Sequence, residues 1–129
     1  MSQALALSWV ERPSGTLASL GRIAYGNGKY LIVGEAVVLS SLNGVAWTSL
    51  AGPDAARFSD LQFFGGSFYG TTDSPGKIFT TPDGASWSLR STNPDNILGI
   101  ASGNGRLVAV GGVQYSEGPN RSLILVSQD

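Results

Sequence analysis

Two short stretches, Ser41–Trp47 (SLNGVAW) and Thr81–Trp87 (TPDGASW), share a hydroxyl residue, an Asn or Asp, a Gly and a closing Trp. Together with Trp9, their Trp residues are spaced by 38 and 40 positions, and Ser127–Asp129 begins a further copy. A repeat of about 40 residues is typical of β-propeller blades, each of which is a small antiparallel sheet. The repeat therefore predicts an all-β chain built of such blades.

Each copy contains further signals for short strands. Asn27-Gly28, Gly65-Gly66 and Asn104-Gly105 each separate two apolar runs, and type I′ hairpin turns need positive φ at both central positions. Third strands are expected at Ala36–Ser40, Lys77–Thr80 and Ser122–Val126, and fourth strands at Ala46–Leu50 and Ser86–Arg90. No long segment has a 3.6-residue apolar period, so helices should be nearly absent.

The order of the predicted strands indicates three four-stranded blades, the third of them divided between the two termini. We expect a fourth-type strand over residues 5–12, blades over 18–52 and 57–92, and the first three strands of a blade over 96–129. Three blades cannot close a ring, so a cyclic homo-oligomer is predicted, six-bladed as a dimer or nine-bladed as a trimer. The N-terminal strand would pair with the C-terminal edge of a neighbour. The alternative is a fragment of a longer propeller.

Composition excludes several function classes. The net charge is −1 and charged residues are 13% of the chain, so no basic surface for nucleic acid is expected. Without Cys or His, the chain lacks disulfides, thiolates and the commonest metal ligand and general base. We therefore expect neither metal nor cofactor. No signal peptide or membrane span is recognisable, so the default expectation is a cytoplasmic protein without a membrane partner.

The two Trp-closed stretches resemble, in slightly shortened form, the Asp-box, which is the bacterial neuraminidase repeat of sialidase-like β-propellers. Asn43 departs from the pattern, where Asp is usual, and the copy at Asp129 is truncated. The resemblance implies a structural role: the Asp or Asn accepts turn N–H groups, Gly permits the turn and Trp packs between sheets. The residues assigned to this role are Ser41, Asn43, Gly44, Trp47, Thr81, Asp83, Gly84, Trp87 and Asp129.

Candidate ligand-binding residues lie at two places. Arg22 and Asp60 align with each other just inside the first strand of their blades, where they could touch a ligand in the central channel or pair with each other. Tyr115, Glu117 and Arg121 lie in the longest connection of the chain. An insertion in one repeat often marks the binding face, although a solvated hairpin tip is an equal alternative.

These observations favour a non-enzymatic binding or scaffold module that self-assembles into a ring. Its ligand would be a glycan, as for a lectin, or a protein. The resemblance also raises the alternative of a sialidase-like glycoside hydrolase. Such an enzyme needs an arginine cluster for the substrate carboxylate and a tyrosine nucleophile, and no arginine cluster is identifiable in this sequence.

Overall fold

The computed structural model describes residues 7–53, 56–73, 75–113 and 119–127. Within them the chain is all-β, without helices, and its strands form three antiparallel sheets. The strands are β1 Leu20–Gly26, β2 Lys29–Gly34, β3 Val38–Ser41, β4 Thr48–Leu50, β5 Phe58–Phe64, β6 Ser67–Thr72, β7 Gly76–Thr81, β8 Ser88–Asn93, β9 Asn96–Gly103, β10 Arg106–Val113 and β11 Arg121–Val126. The described residues contain no helix that could cross a membrane.

The strands follow each other in the sheets as they do along the chain. The first sheet has the order β1-β2-β3-β4 and the second β5-β6-β7-β8, while the third is β9-β10-β11. The all-β class is confirmed, whereas the division into propeller blades and the closure of a ring stay predictions. Residues 7–12, the described part of the strand expected over 5–12, form no strand in the single chain. The pairing expected for them is with a neighbouring chain.

The three predicted hairpins are confirmed, and their backbone has the expected conformation. Asn27 and Gly28 have φ of 50° and 76°, Gly65 and Gly66 58° and 86°, and Asn104 and Gly105 52° and 75°. Positive φ at both central positions gives the turn the twist of the flanking strands. These turns therefore fix the register of the first two strands in every sheet.

Three of the expected strands begin two residues later in the structure, for local reasons. The strand expected from Ala36 begins at Val38, because Ala36 has a φ of 55° and its N–H donates to the carbonyl of Ala56. The fourth strands begin after Trp47 and Trp87, not before them. The N–H groups that precede these Trp residues are already bonded to the side chains of Asn43 and Asp83.

Two apolar cores separate the three sheets. In the first, Leu31, Val33 and Val38 of the first sheet pack against Leu61 and Phe68 of the second. The second core joins the second and third sheets and contains Ile97, Ile100, Leu107 and Ala109, with Phe64, Tyr69 and Ile78 packed against them. Among the described residues, the second sheet is thus covered on both faces, and each of the other two on one face.

Candidate functional site

Charged side chains gather at one end of the three sheets, where the longer connections lie. Antiparallel pairing puts the residues before β1, β5 and β9 beside those that join β2 to β3, β6 to β7 and β10 to β11. We call this the charged end. The described residues of this end include four basic and four acidic side chains, which are Arg22, Arg57, Lys77, Arg121, Glu35, Asp60, Asp73 and Asp95. The charges of these eight described residues balance.

The structure brings the predicted residues Arg22 and Asp60 together. Arg22 Nε lies 3.5 Å from Asp60 Oδ1, and their side chains are 56% and 22% exposed. Asp60 Oδ1 also accepts the N–H of Leu61 at 2.8 Å, and Oδ2 accepts the N–H of Ile100 at 2.9 Å. The Asp60 carboxylate is therefore satisfied within the chain, and it links β1, β5 and β9 without needing a ligand.

A polar groove of about 580 Å³ opens between the first and second sheets at the charged end. Glu35 and Arg57 form an ion pair on its wall, and Asp73 and Lys77 also line it. Phe58 and Phe79 also line it, with ring centroids 6.3 Å apart. The groove thus offers charged groups of both signs together with two aromatic rings, which suits a small polar ligand.

Arg121 is the only described member of the predicted loop site. It forms an ion pair with Asp95, a residue that the sequence did not single out. Its Nη2 lies 3.3 Å from Oδ2 of Asp95, whose side chain is only 4% exposed. The pair lacks the alignment of a hydrogen bond, and Oδ2 has no such bond from the described residues. Asp95 follows Asn93 and Pro94, so in the sequence it resembles an ordinary turn residue. Tyr115 and Glu117 lie outside the described residues.

The opposite end of the sheets carries the two Trp-closed turns, which have the same hydrogen bonds. Ser41 Oγ accepts the N–H of Gly44 at 2.8 Å, and Asn43 Oδ1 accepts those of Val45 and Ala46 at 2.9 and 3.1 Å. In the second turn, Thr81 and Asp83 accept the corresponding N–H groups at 2.8, 2.9 and 3.2 Å. Gly44 and Gly84 have φ of 77° and 86°. These contacts are local and structural, and Asp129 lies outside the described residues.

Asp83 differs from Asn43 in carrying a charge. Hydrogen bonds from the N–H groups of Ala85 and Ser86 lower the pKa of the Asp83 carboxyl, because they stabilise its ionised form. The hydroxyl of Thr81 and the ammonium group of Lys29 act in the same direction. The second turn is therefore the one whose stability should depend on pH.

The three Trp residues occupy different environments. Trp87 Nε1 donates to the Gly84 carbonyl at 2.9 Å, and its ring lies 5.2 Å from that of Phe58, in the core between the first and second sheets. Trp47 lies 6.4 Å from Tyr30, on the first sheet. Trp9 is 91% exposed. Only Trp87 thus packs between two sheets of the single chain.

An apolar cleft of about 730 Å³ lies between the second and third sheets. We use this name for the space lined by Tyr69, Ile78, Arg90, Leu107, Ala109, Leu125 and Ser127, among others. The cleft borders β11, for which β10 is the partner in the described part of the chain. It is larger than the polar groove, and its walls are mainly aliphatic and aromatic, which suits an apolar side chain.

Comparisons of the chain with protein-family models, with curated proteins and with solved structures gave no match. Function is therefore inferred from the geometry of the described residues. That geometry comprises a charged end, a polar groove, an apolar cleft and two exposed outer sheet faces.

Proposed function

We propose that this chain is a non-enzymatic β-propeller module of the Asp-box type, which assembles with further copies of itself into a closed ring and acts as a binding or scaffold protein. The observation that carries the proposal concerns the two outer faces. Each presents the side chains that, in the neighbouring repeat, are buried in a contact between two sheets. In the proposed ring, the outer faces of neighbouring chains pack against each other in the same way as the sheets that meet twice within one chain.

The outer face of the first sheet, which we call the head face, contains Ile23, Tyr25 and Tyr30. These residues alternate along β1 and β2 with Ala24 and Leu31, which pack against the second sheet. When the repeats are aligned on their hairpin turns, the counterpart of Tyr30 is Phe68. Phe68 is 0% exposed because it packs against the first sheet, whereas Tyr30 is 36% exposed.

The outer face of the third sheet, which we call the tail face, contains Val108, Val110, Ile124 and Val126. Val110 pairs with Ile124 and Val108 with Val126, so the four side chains lie on one face. The counterpart of Val110 in the first sheet is Val33. Val33 is 0% exposed because the second sheet covers it, whereas Val110 is 46% exposed.

Head and tail faces are complementary because the corresponding faces of other sheets already pack against each other twice within the chain. These contacts join the first sheet to the second and the second to the third. A head-to-tail contact of this kind repeats with the same rotation, and it forms a ring when the rotation closes. Two chains would give six sheets around the axis and three chains nine, and we favour the dimer. Burying both faces would also remove two apolar patches from water.

Ligand binding by the ring would use the charged end. The polar groove, with its ion pair and its Asp73 and Lys77 side chains, supports binding of a small polar ligand such as a glycan. Copies of the groove would recur around the ring, so the assembly would be multivalent. A glycan array with the assembled protein tests this part, and binding should be reduced by Lys77→Ala.

Light scattering coupled to size exclusion tests the assembly. The 13.4 kDa chain should elute at twice or three times its mass, and a monodisperse monomer would contradict the proposal. Ile124→Asp on the tail face should give a folded monomer, since Ile124 is exposed in the single chain. Leu89→Asp is the matched control, because Leu89 is an exposed apolar residue of the sandwiched second sheet. Turnover of a fluorogenic sialoside would instead favour the hydrolase alternative.

A further inference from the structure

We infer that Trp9 of one copy inserts into the apolar cleft of a second copy, where residues 9–11 pair with β11 and complete its third sheet. This inference rests on the proposed ring and names the contact that locks it. Three observations carry it: what fills the corresponding space elsewhere in the chain, which residues line the cleft, and how exposed Trp9 is.

The space between the first and second sheets that corresponds to the cleft is filled by Trp87. A Cβ at Gly70 would lie 3.4 Å from the Trp87 ring, so the indole packs directly on β6 at that position. Aligned on the hairpins, the counterpart of Gly70 is Ala109, which lines the cleft. The cleft is therefore open where an indole lies one repeat earlier.

The surface on which the Trp87 turn rests also has a counterpart, and this counterpart lies in the cleft. A Cβ at Gly84 would meet the side chains of Leu31 and Leu50, so this turn rests on the first sheet. The counterparts of these two residues are Tyr69 and Arg90, and both line the cleft. A Trp-closed turn belonging to the third sheet would thus rest on the second sheet at the cleft.

The third sheet holds the beginning of such a turn. Ser127, the counterpart of Thr81, lines the cleft, and its Oγ accepts the N–H of Leu107 at 2.9 Å. In the first two sheets the third strand pairs with a fourth, as β7 does with β8. For β11 the described residues provide β10 alone as partner, so its other edge is open to strand addition.

The segment that fits this edge is the one around Trp9. Leu7-Ser8-Trp9-Val10-Glu11 aligns with the residues that form the entry to β4 and β8, and Leu7, Trp9 and Val10 are all exposed. An indole buries on the order of 200 Å² when it enters a core. Trp9 is exposed in the single chain and the apolar cleft is unfilled, so an assembly that brings the two together would gain stability.

A second copy is better placed to supply Trp9 than the same chain. Residue 9 precedes β1, which begins at Leu20 and belongs to the first sheet, on the far side of the second sheet from β11. When the head face of one copy meets the tail face of another, β1 of the first copy lies next to the third sheet of the second. The segment 7–12 then lies beside β11 of that second copy.

The repeat fixes the register of the new pair. Thr80 pairs with Ser88 and Phe79 with Leu89, and the counterparts in the proposed joint are Val126 with Val10 and Leu125 with Glu11. The chain contains no Cys, so single cysteines can be introduced without competition from native thiols. Val10→Cys in one chain and Val126→Cys in another place the two thiols on directly opposed residues, where a disulfide can form.

The experiment mixes the Val10→Cys and Val126→Cys full-length chains under mild oxidation. A covalent species of twice the chain mass should form rapidly, and pairing Val10→Cys with Ile124→Cys, two positions out of register, should form it at least about tenfold more slowly. In parallel, Trp9→Ala should raise the dissociation constant of the assembly about 30-fold or more, since a buried interfacial Trp is typically a hot spot.

The outcomes separate this inference from the proposed function. If the wild-type chain assembles but the Val10–Val126 pair does not cross-link faster than the control pair, the Trp9 joint is wrong and the ring stands. If the chain carrying both cysteines closes on itself as a monomer, the occupant is its own segment and the inference is overturned. A monomeric wild type contradicts both.

Discussion

Asp60 Oδ2 accepts the backbone N–H of Ile100 at 2.9 Å, which joins the first strand of the second sheet to the first strand of the third. The other oxygen of the same carboxylate lies 3.5 Å from Arg22 Nε in the first sheet. One partly buried side chain therefore connects all three sheets, through a hydrogen bond to the third sheet and an ion pair to the first. A hydrogen bond to a carboxylate is stronger than one between neutral groups.

Removing this carboxylate should be costly, while removing its surface partner should not. We expect Asp60→Ala to lower the free energy of unfolding by about 2–3 kcal/mol, because two backbone donors lose a charged acceptor. Arg22→Ala should cost about 0–1 kcal/mol, since exposed ion pairs contribute little. Urea unfolding of the two variants checks this, and equal losses would contradict the role given to Asp60 as a link between sheets.

The two Trp-closed turns provide a matched test of acid sensitivity. The folded state lowers the pKa of Asp83, so its ionised form contributes stability above the unfolded value of about 3.9, and this contribution is lost as pH falls through the folded value. Asp83→Asn should make unfolding less dependent on pH in that acid range. Asn43→Asp, at the counterpart position, should make it more dependent.

Denaturant midpoints of the wild type, Asp83→Asn and Asn43→Asp, measured at neutral pH and near pH 3, give the pH dependence of stability for each protein. Asp83→Asn should also keep the turn, since Asn43 already makes the same backbone bonds in the first repeat. A wild-type acid slope in Asp83→Asn would show that other carboxyls dominate acid unfolding.

The buried carboxylate of Asp95 makes Arg121 important for stability. Arg121→Ala should lower the free energy of unfolding by about 1–3 kcal/mol, because it leaves a buried charge without its ion pair. Adding Asp95→Asn to Arg121→Ala should recover part of that loss, since the remaining group is neutral. A double-mutant cycle by urea unfolding gives the coupling energy, and a value near zero would mean that the two residues act independently.

The features set by local chemistry could be predicted from the sequence, whereas those set by contacts between sheets could not. Asn27-Gly28 and its counterparts required positive φ, and the repeated apolar runs on either side of these turns predicted the strands. Ala36, by contrast, adopts a left-handed conformation because its connection is tied to Ala56 of the next repeat. The burial of Asp95 depends on how the third sheet packs, which no pattern near residue 95 reveals.

The same limit applies to the candidate site. Repeat alignment could place Arg22 and Asp60 near each other. The hydrogen bond from the N–H of Ile100 to the Asp60 carboxylate is seen only in the structure. The polar groove is lined by Glu35, Arg57 and Asp73, which lie on three different connections, and by Lys77 of β7. No spacing in the sequence links them, so the groove could not have been predicted.

Gly26 and Gly103, which occupy the same position in the first and third repeats, give the sharpest test of the ring. A Cβ at Gly26 would overlap the ring of Phe63 in the second sheet, so Gly26→Ala should destabilise the chain by about 1–3 kcal/mol. At Gly103 nothing lies within 4 Å in the single chain, so Gly103→Ala should leave the thermal midpoint of the monomer nearly unchanged.

In the ring, however, Gly103 of one copy faces the head face of the next. The counterpart of Phe63 on that face is Tyr25, so a methyl group at position 103 should collide with the Tyr25 ring and weaken assembly. Light scattering at several concentrations measures the effect. If Gly103→Ala assembles as tightly as the wild type, head and tail faces do not meet in the register of the internal sheets, because in that register Gly103 must have the neighbour that Gly26 has.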